Sequence, residues 1–164
     1  LTGRIADGVF INMAPPEKIR EIRDRVHEGA REEGRDPAEI EIVAKCRVSL
    51  NPDLAAARSR LRQVLTFYNL ADHYSDLLRG VGFEAEVNQV AAAFKEGGFK
   101  AAMACITDEY MDRLPVIAAT SIAEVKEKLR PFVEAGATRL VVPYVPSTES
   151  PVDDLKGFLR QWGA

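Results

Sequence analysis

The chain has 164 residues, of which 46% are hydrophobic and 29% charged, and carries a formal net charge of −3. That length can bury one sizeable core, and the near-balance of charges offers no basic face to nucleic acid. No stretch approaches the roughly 18 consecutive apolar residues of a membrane span, so the sequence reads as a single domain, 1–164, with neither nucleic acid nor a membrane as partner.

Val9, Phe10 and Ile11 read as a buried strand entered through an Asp7-Gly8 turn. Such a strand needs neighbours on both edges, because unpaired interior backbone groups cost free energy. Pro15-Pro16-Glu17 starts a helix, since proline there loses nothing by its missing N–H. Ile19, Ile22, Val26 and Ala30 recur at helical spacing, and Gly34 takes the position just past the helix end. The period then changes. In Ile40 to Leu50, IEIVAKCRVSL, the residues Ile40, Ile42, Ala44, Cys46, Val48 and Leu50 share one face. Glu41, Val43, Lys45, Arg47 and Ser49 share the other, which is the pattern of one strand with an apolar and a polar side.

Asn51-Pro52 caps a second helix whose stripe is Leu54, Leu61, Leu65 and Tyr68. From there to about Ala119 the reading is helical, broken at Gly80-Val81-Gly82 and Gly97-Gly98, and residues 70–119 form a helical insertion. Ser121-Ile122-Ala123-Glu124 is a capping box, starting a helix that runs through Val125 and Leu129 to Gly136. Arg139 to Val142 is a third short strand, Pro143 to Ser147 a rigid loop, and Ser150-Pro151 the start of a last helix ending near Trp162. Alternating strands and helices argue for a parallel sheet of right-handed βα units. Three strands neither close a barrel nor fill an ordinary open sheet, so the chain reads as the back part of something larger.

Several segments resemble one family. Gly3-Arg4-Ile5-Ala6-Asp7-Gly8-Val9 is similar to the "AG-x-x-ADG-V" signature of the luciferase-like flavin enzymes. Gly29-Ala30-Arg31-Glu32-Glu33-Gly34-Arg35-Asp36-Pro37 is similar to their "GA-x-x-AGRDP" segment. Thr107-Asp108-Glu109 and the run Val133 to Val142 resemble the family's approach to its last strand; the family's usual glycine before the capping Ser is replaced here by Ala118-Ala119-Thr120. The resemblance implies an α/β fold, a partial (β/α)8 barrel consisting of its last three strands, with the helical insertion before the last. It implies flavin- or deazaflavin-dependent oxidoreduction or monooxygenation of a small organic substrate. The cofactor it implies is FMN or the deazaflavin coenzyme F-420 in the intact protein, with most ring contacts in the missing strands, so that this chain alone is expected to lack most of the cofactor site. The alternative is a non-catalytic half-barrel that folds as a homodimer or with a partner chain through its exposed strand edges, an open parallel edge being an aggregation template.

In a parallel barrel the active site lies at the C-terminal ends of the strands. Lys45, Arg47 and Ser49 then point toward the barrel axis, where two cations beside a hydroxyl can hold a phosphate tail or a carboxylated substrate. The plainer reading is a charged face paired with neighbouring acids or wetted by solvent. Asn12 either binds cofactor or substrate or satisfies the turn before Pro15. Tyr144 and Ser147 either hold an anion near the last helix N-terminus or serve its cap. Asp7 sits at the wrong end of its strand for catalysis and reads as a turn residue. Phe67, Tyr68, Tyr74, Phe83 and Phe94 either line a substrate pocket or form the core of the insertion. His27 and His73 have no companions at metal-ligand spacing, so no metal site is expected. No residue is assigned as a proton donor. Cys46 and Cys105 read as reduced thiols, which with the cofactor class places the protein in the cytoplasm.

Overall fold

Every strand of the fold is hydrogen-bonded to one segment, Glu41–Leu50. It runs as β2 (Glu41–Lys45) and β3 (Arg47–Leu50), with Cys46 between them, in a computed structural model that describes residues 1–163. β1 (Gly8–Asn12) pairs with β2 in parallel, Gly8 opposite Glu41 and Asn12 opposite Lys45. β4 (Val116–Ala119) pairs with β3 in parallel, Arg47 opposite Val116 and Leu50 opposite Ala119. β5 (Arg139–Val141) pairs with β2, Val43 opposite Arg139, and its chain continues alongside β3 through a bridge between Val48 and Tyr144. Successive residues of a parallel strand bond to alternate neighbours. The N–H groups of Glu41, Arg47 and Asn51 donate to Asp7, Pro115 and Ala119, whereas those of Cys46 and Val48 donate to Val141 and Pro143. β1 and β4 therefore succeed one another along one edge of the segment, and β5 lines the other.

The helices are α1 (Thr2–Ile5), α2 (Pro16–Glu32), α3 (Leu54–Leu70), α4 (Asp72–Gly80), α5 (Glu84–Ala104), α6 (Asp108–Asp112), α7 (Ile122–Glu134) and α8 (Pro151–Trp162). Their ends follow local chemistry. Pro16 opens α2, Gly34 past its end has φ 69°, and Ser121 Oγ accepts the Glu124 N–H at 3.2 Å. The Glu124 carboxylate accepts the Thr120 N–H at 2.8 Å, so the box closes one residue earlier than its usual form. The two faces of the strand segment meet two cores. Ile42, Ala44, Cys46 and Val48 pack with Ile19, Val26, Val125, Leu129, Phe132 and Phe158 of α2, α7 and α8. The second core joins Leu61, Leu65, Leu78, Phe83, Val87 and Val90 of the α3–α5 region to Met13 and Val116. None of the described helices is long and apolar enough to cross a membrane.

The structure corrects the sequence reading in three places. The Ile40–Leu50 strand is two, because β1 ends opposite Lys45 and β4 begins opposite Arg47, and Cys46 falls at the handover. Val116–Ala119, expected to be helical, is β4 with all four residues buried. Pro115 disfavours helix in the residue before it, and a short buried apolar run has no period to separate strand from helix. Among the described residues β1 pairs along one edge only, with β2, and Phe10 is 58% exposed.

The motif glycines have a packing explanation. α1 lies across α2 with the Gly3 Cα 3.7 Å from where a Gly29 Cβ would stand, and a Cβ on Gly3 would lie 1.9 Å from the Val26 carbonyl oxygen. Arg35 closes the unit, donating to the carbonyls of Gly3 at 3.0 Å and Ala6 at 2.8 Å. Asp7 is fully exposed beside it, with its carboxylate 3.9 Å from Arg35. These residues stand at the N-terminal ends of the strands and serve the fold. Gly3→Ala is expected to lower stability by about 1–3 kcal/mol, read as a lower urea midpoint with unchanged slope; an unchanged midpoint would refute the close packing.

Candidate functional site

The face of the sheet opposite the first core carries Phe10 and Asn12 of β1 beside their register partners Val43 and Lys45. Arg47 and Ser49 continue the same face into β3, because side chains two apart on a strand point the same way. Arg47 is 7% exposed and Ser49 is wholly buried. One Arg47 terminal nitrogen donates to Asn12 Oδ1 at 3.3 Å and lies 3.7 Å from Met13 Sδ, and the other donates to the Tyr68 hydroxyl. The guanidinium carbon sits 4.4 Å from the Tyr68 ring centroid, a cation–π contact. Tyr68 packs on Tyr74 with ring centroids 4.2 Å apart, so α3 and α4 roof the arginine. Met13 holds a left-handed backbone at φ 56°, an unfavourable conformation for a non-glycine residue, at the C-terminal end of β1.

The electrostatics of this cluster are one-sided. Neither Lys45 nor Arg47 forms an ion pair with a carboxylate among the described residues. Burial holds the Lys45 ammonium below its ordinary value, and the Arg47 charge pushes the same way. Burial also lowers Arg47, though a guanidinium stays charged. Ser49 Oγ has no hydrogen-bond partner among the described residues, an arrangement that costs about 1–3 kcal/mol when left unmet. A cleft of about 450 Å³ runs from Lys45 and Asn12 along β1, walled by Phe10, His73, Tyr74, Leu77 and Val81.

Tyr144 and Ser147 belong to a different place. Tyr144 bridges Val48 and stacks on Phe158 at 4.5 Å, which puts it on the face away from Lys45 and Arg47. Its hydroxyl lies 2.7 Å from Asp154 Oδ1 and 3.1 Å from the Leu50 carbonyl. Burial raises the Tyr144 phenol above its ordinary value, and the Asp154 carboxylate adds to the effect. The Ser147 and Thr148 N–H groups donate to Asp154 Oδ2 at 2.8 and 3.3 Å, and the Ser147 hydroxyl accepts from Asn51 at 3.1 Å. The donors a phosphate would use are taken by Asp154, a residue the sequence reading passed over because its loop partners are six to ten residues away. Of the five aromatics, Tyr68 and Tyr74 reach Arg47 and Phe83 is core, whereas Phe67 and Phe94 are exposed. Among the described residues no group of His, Cys, Asp and Glu could hold a metal.

The family model described as luciferase-like monooxygenase matches residues 1–139. The chain belongs to the luciferase-like monooxygenase family. Within the family, it is 28% identical over 156 residues to a 5,10-methylenetetrahydromethanopterin reductase of Methanolobus tindarius, covering 93% of this chain and 47% of that protein. The coenzyme F-420-dependent tetrahydromethanopterin reductase of Methanopyrus kandleri superimposes with a TM-score of 0.75 at 23% identity, over 98% of this chain and 45% of that one. An F-420-dependent secondary alcohol dehydrogenase superimposes with a TM-score of 0.65 at 17% identity, over 97% and 43%. The chain thus spans about half the length of the luciferase-like relatives it matches, and its fold is theirs: mixed α/β with parallel strands.

Two measurements check this geometry. Cys46 stands between Lys45 and Arg47 yet faces the first core, and burial pushes its thiol up to about 12. A thiol reagent at mildly alkaline pH is expected to label the partly exposed Cys105 in the native protein and Cys46 only after unfolding. Asp154→Ala removes the acceptor of two loop N–H groups and leaves the Tyr144 hydroxyl only the Leu50 carbonyl, and is expected to cost about 1–3 kcal/mol in urea unfolding. A neutral result would mean that Asp154 does not hold the loop.

Proposed function

We propose that the chain is the C-terminal part of a deazaflavin-dependent oxidoreductase with a (β/α)8 barrel, its parallel strands forming part of the barrel wall. The observation that carries the reading is the pairing of a family match over residues 1–139 with similarity to reductases, one of them F-420-dependent. FMN is the other cofactor of the reading. The residues present fit an anionic group of such a cofactor or of its substrate. Lys45 and Arg47 are cations without carboxylate partners, and the buried Ser49 hydroxyl lacks a hydrogen bond. A tricyclic ring needs two walls, and the cleft beside β1 lies open along that strand's unpaired edge, so the second wall belongs to another segment.

When bound, the cofactor supplies hydride transfer, and the protein supplies binding, orientation and exclusion of water. Asn12, Lys45 and Arg47 hold and orient the substrate's polar end at the strand ends, and Tyr68 and Tyr74 keep water from the arginine. The substrate is a small organic molecule. Free Cys46 and Cys105 accord with a reducing, cytoplasmic setting.

A second reading rests on the unpaired edge of β1 and its exposed Phe10. There the chain is a non-catalytic module that pairs through this edge with a second copy or a partner chain. Fluorescence titration with the deazaflavin coenzyme and with FMN separates the readings. Saturable binding of the deazaflavin, about ten-fold tighter than FMN or about 1.4 kcal/mol, is the expected outcome. The reverse preference points to an FMN monooxygenase, and no binding of either, with dimers in sedimentation, favours the module.

A further inference from the structure

The buried arginine sets a requirement that no carboxylate among the described residues meets. Charges taken out of water are ordinarily paired, because an isolated one keeps its desolvation cost. Arg47 instead receives a π-face, an amide oxygen, a thioether and a phenol, all neutral. A second cation, Lys45, stands two residues away on the same face, close enough for the two charges to repel. The hydroxyl next along that face, Ser49, is buried and unbonded. Asn12, which touches Arg47, also lines the cleft with Lys45. The cleft's volume of about 450 Å³ lies in the range of small-molecule sites, and its walls away from Lys45 are largely apolar.

We propose that Lys45 and Asn12 form the anion-binding end of this cleft, with Arg47 adding its charge from behind Asn12, and take the carboxylate or phosphate of a small organic acid whose apolar body lies against Phe10, Leu77 and Val81. This rests on the proposed function and deepens it by naming the chemical class of the group held at the strand ends. Because the anion is held by this chain's own side chains, its binding is measured without the cofactor and fails separately from cofactor binding. Lys45 is the cation at the cleft surface. Arg47 lies behind Asn12 with its terminal nitrogens donating to Asn12 and Tyr68, so it acts on the anion through its charge rather than through a free donor.

The test is calorimetric titration of the chain with benzoate, phenyl phosphate and the neutral benzamide. One saturable site for an anion, with benzamide about ten-fold weaker or more, is expected, and the better of the two anions names the head group. Lys45→Met and Arg47→Met should each weaken the anion by about ten-fold or more, with Arg47→Lys retaining part of the binding. A stability measurement separates a ligand role from a structural one. Removing an unpaired buried charge should leave the urea midpoint of ligand-free Arg47→Met equal to or above that of the parent chain. Three results overturn the proposal: equal binding of benzoate and benzamide, anion binding unchanged in both Met variants, or no binding of either anion by the folded chain. A large fall in the Arg47→Met midpoint would show that Arg47 is there to hold the fold, leaving Lys45→Met as the deciding variant.

Discussion

The fold depends on one strand segment meeting three neighbours on two edges. Glu41–Leu50 takes β1 and then β4 along one side and the β5 chain along the other, and its two faces meet two different cores. Backbone pairing fixes its position, and side-chain alternation then fixes what each residue faces. Slipping the register by one residue would turn Ile42, Ala44, Cys46 and Val48 toward the helical layer and bury Lys45 and Arg47 among α2, α7 and α8. The cost of that exchange keeps the two cations on the face where α3 and α4 roof them.

Much of this was legible in the sequence, for reasons that can be named. Strict alternation from Ile40 to Leu50 identifies the two faces because strand side chains have a period of two. The Ser121 cap and the glycines at 34 and 136 mark helix ends because the chemistry of those ends is local. The remainder depends on distant parts of the chain. Nothing near Cys46 says that one neighbour strand leaves and another arrives there. The apolar run at 116–119 reads equally as helix or strand until β3 is seen beside it. At the site, Lys45, Arg47 and Ser49 were identifiable as one polar face. That Tyr68 would stack on Arg47 from 21 residues away, or that Asp154 would occupy the Tyr144–Thr148 loop, follows only from the tertiary arrangement.

The contrast between the two groups of candidate residues is one of charge balance. In the loop before α8, the Tyr144 hydroxyl and the Ser147 and Thr148 N–H groups face the Asp154 carboxylate, so its charge is met by donors within the fold. At the end of β1, two cations face neutral partners, and Met13 adopts a left-handed backbone that local sequence does not favour. An incomplete charge and a strained backbone at the same strand end both cost stability, and such costs persist where the surroundings hold them for another purpose.

The open edge of β1 and the cation pair can be reconciled within one molecule. The unpaired backbone groups belong to β1, whereas Lys45 and Arg47 stand one strand further in, on β2 and β3, beneath Tyr68 and Tyr74. A strand added to β1 would extend the sheet and widen the face that Phe10 and Asn12 share with Lys45, closing the open side of the cleft. It would not displace the aromatic roof, which comes from α3 and α4 on the other side of the cations. Closure of the cleft would lower the local dielectric around the pair and strengthen their hold on an anion. The open edge of β1 is thus the side from which the cleft would be enclosed.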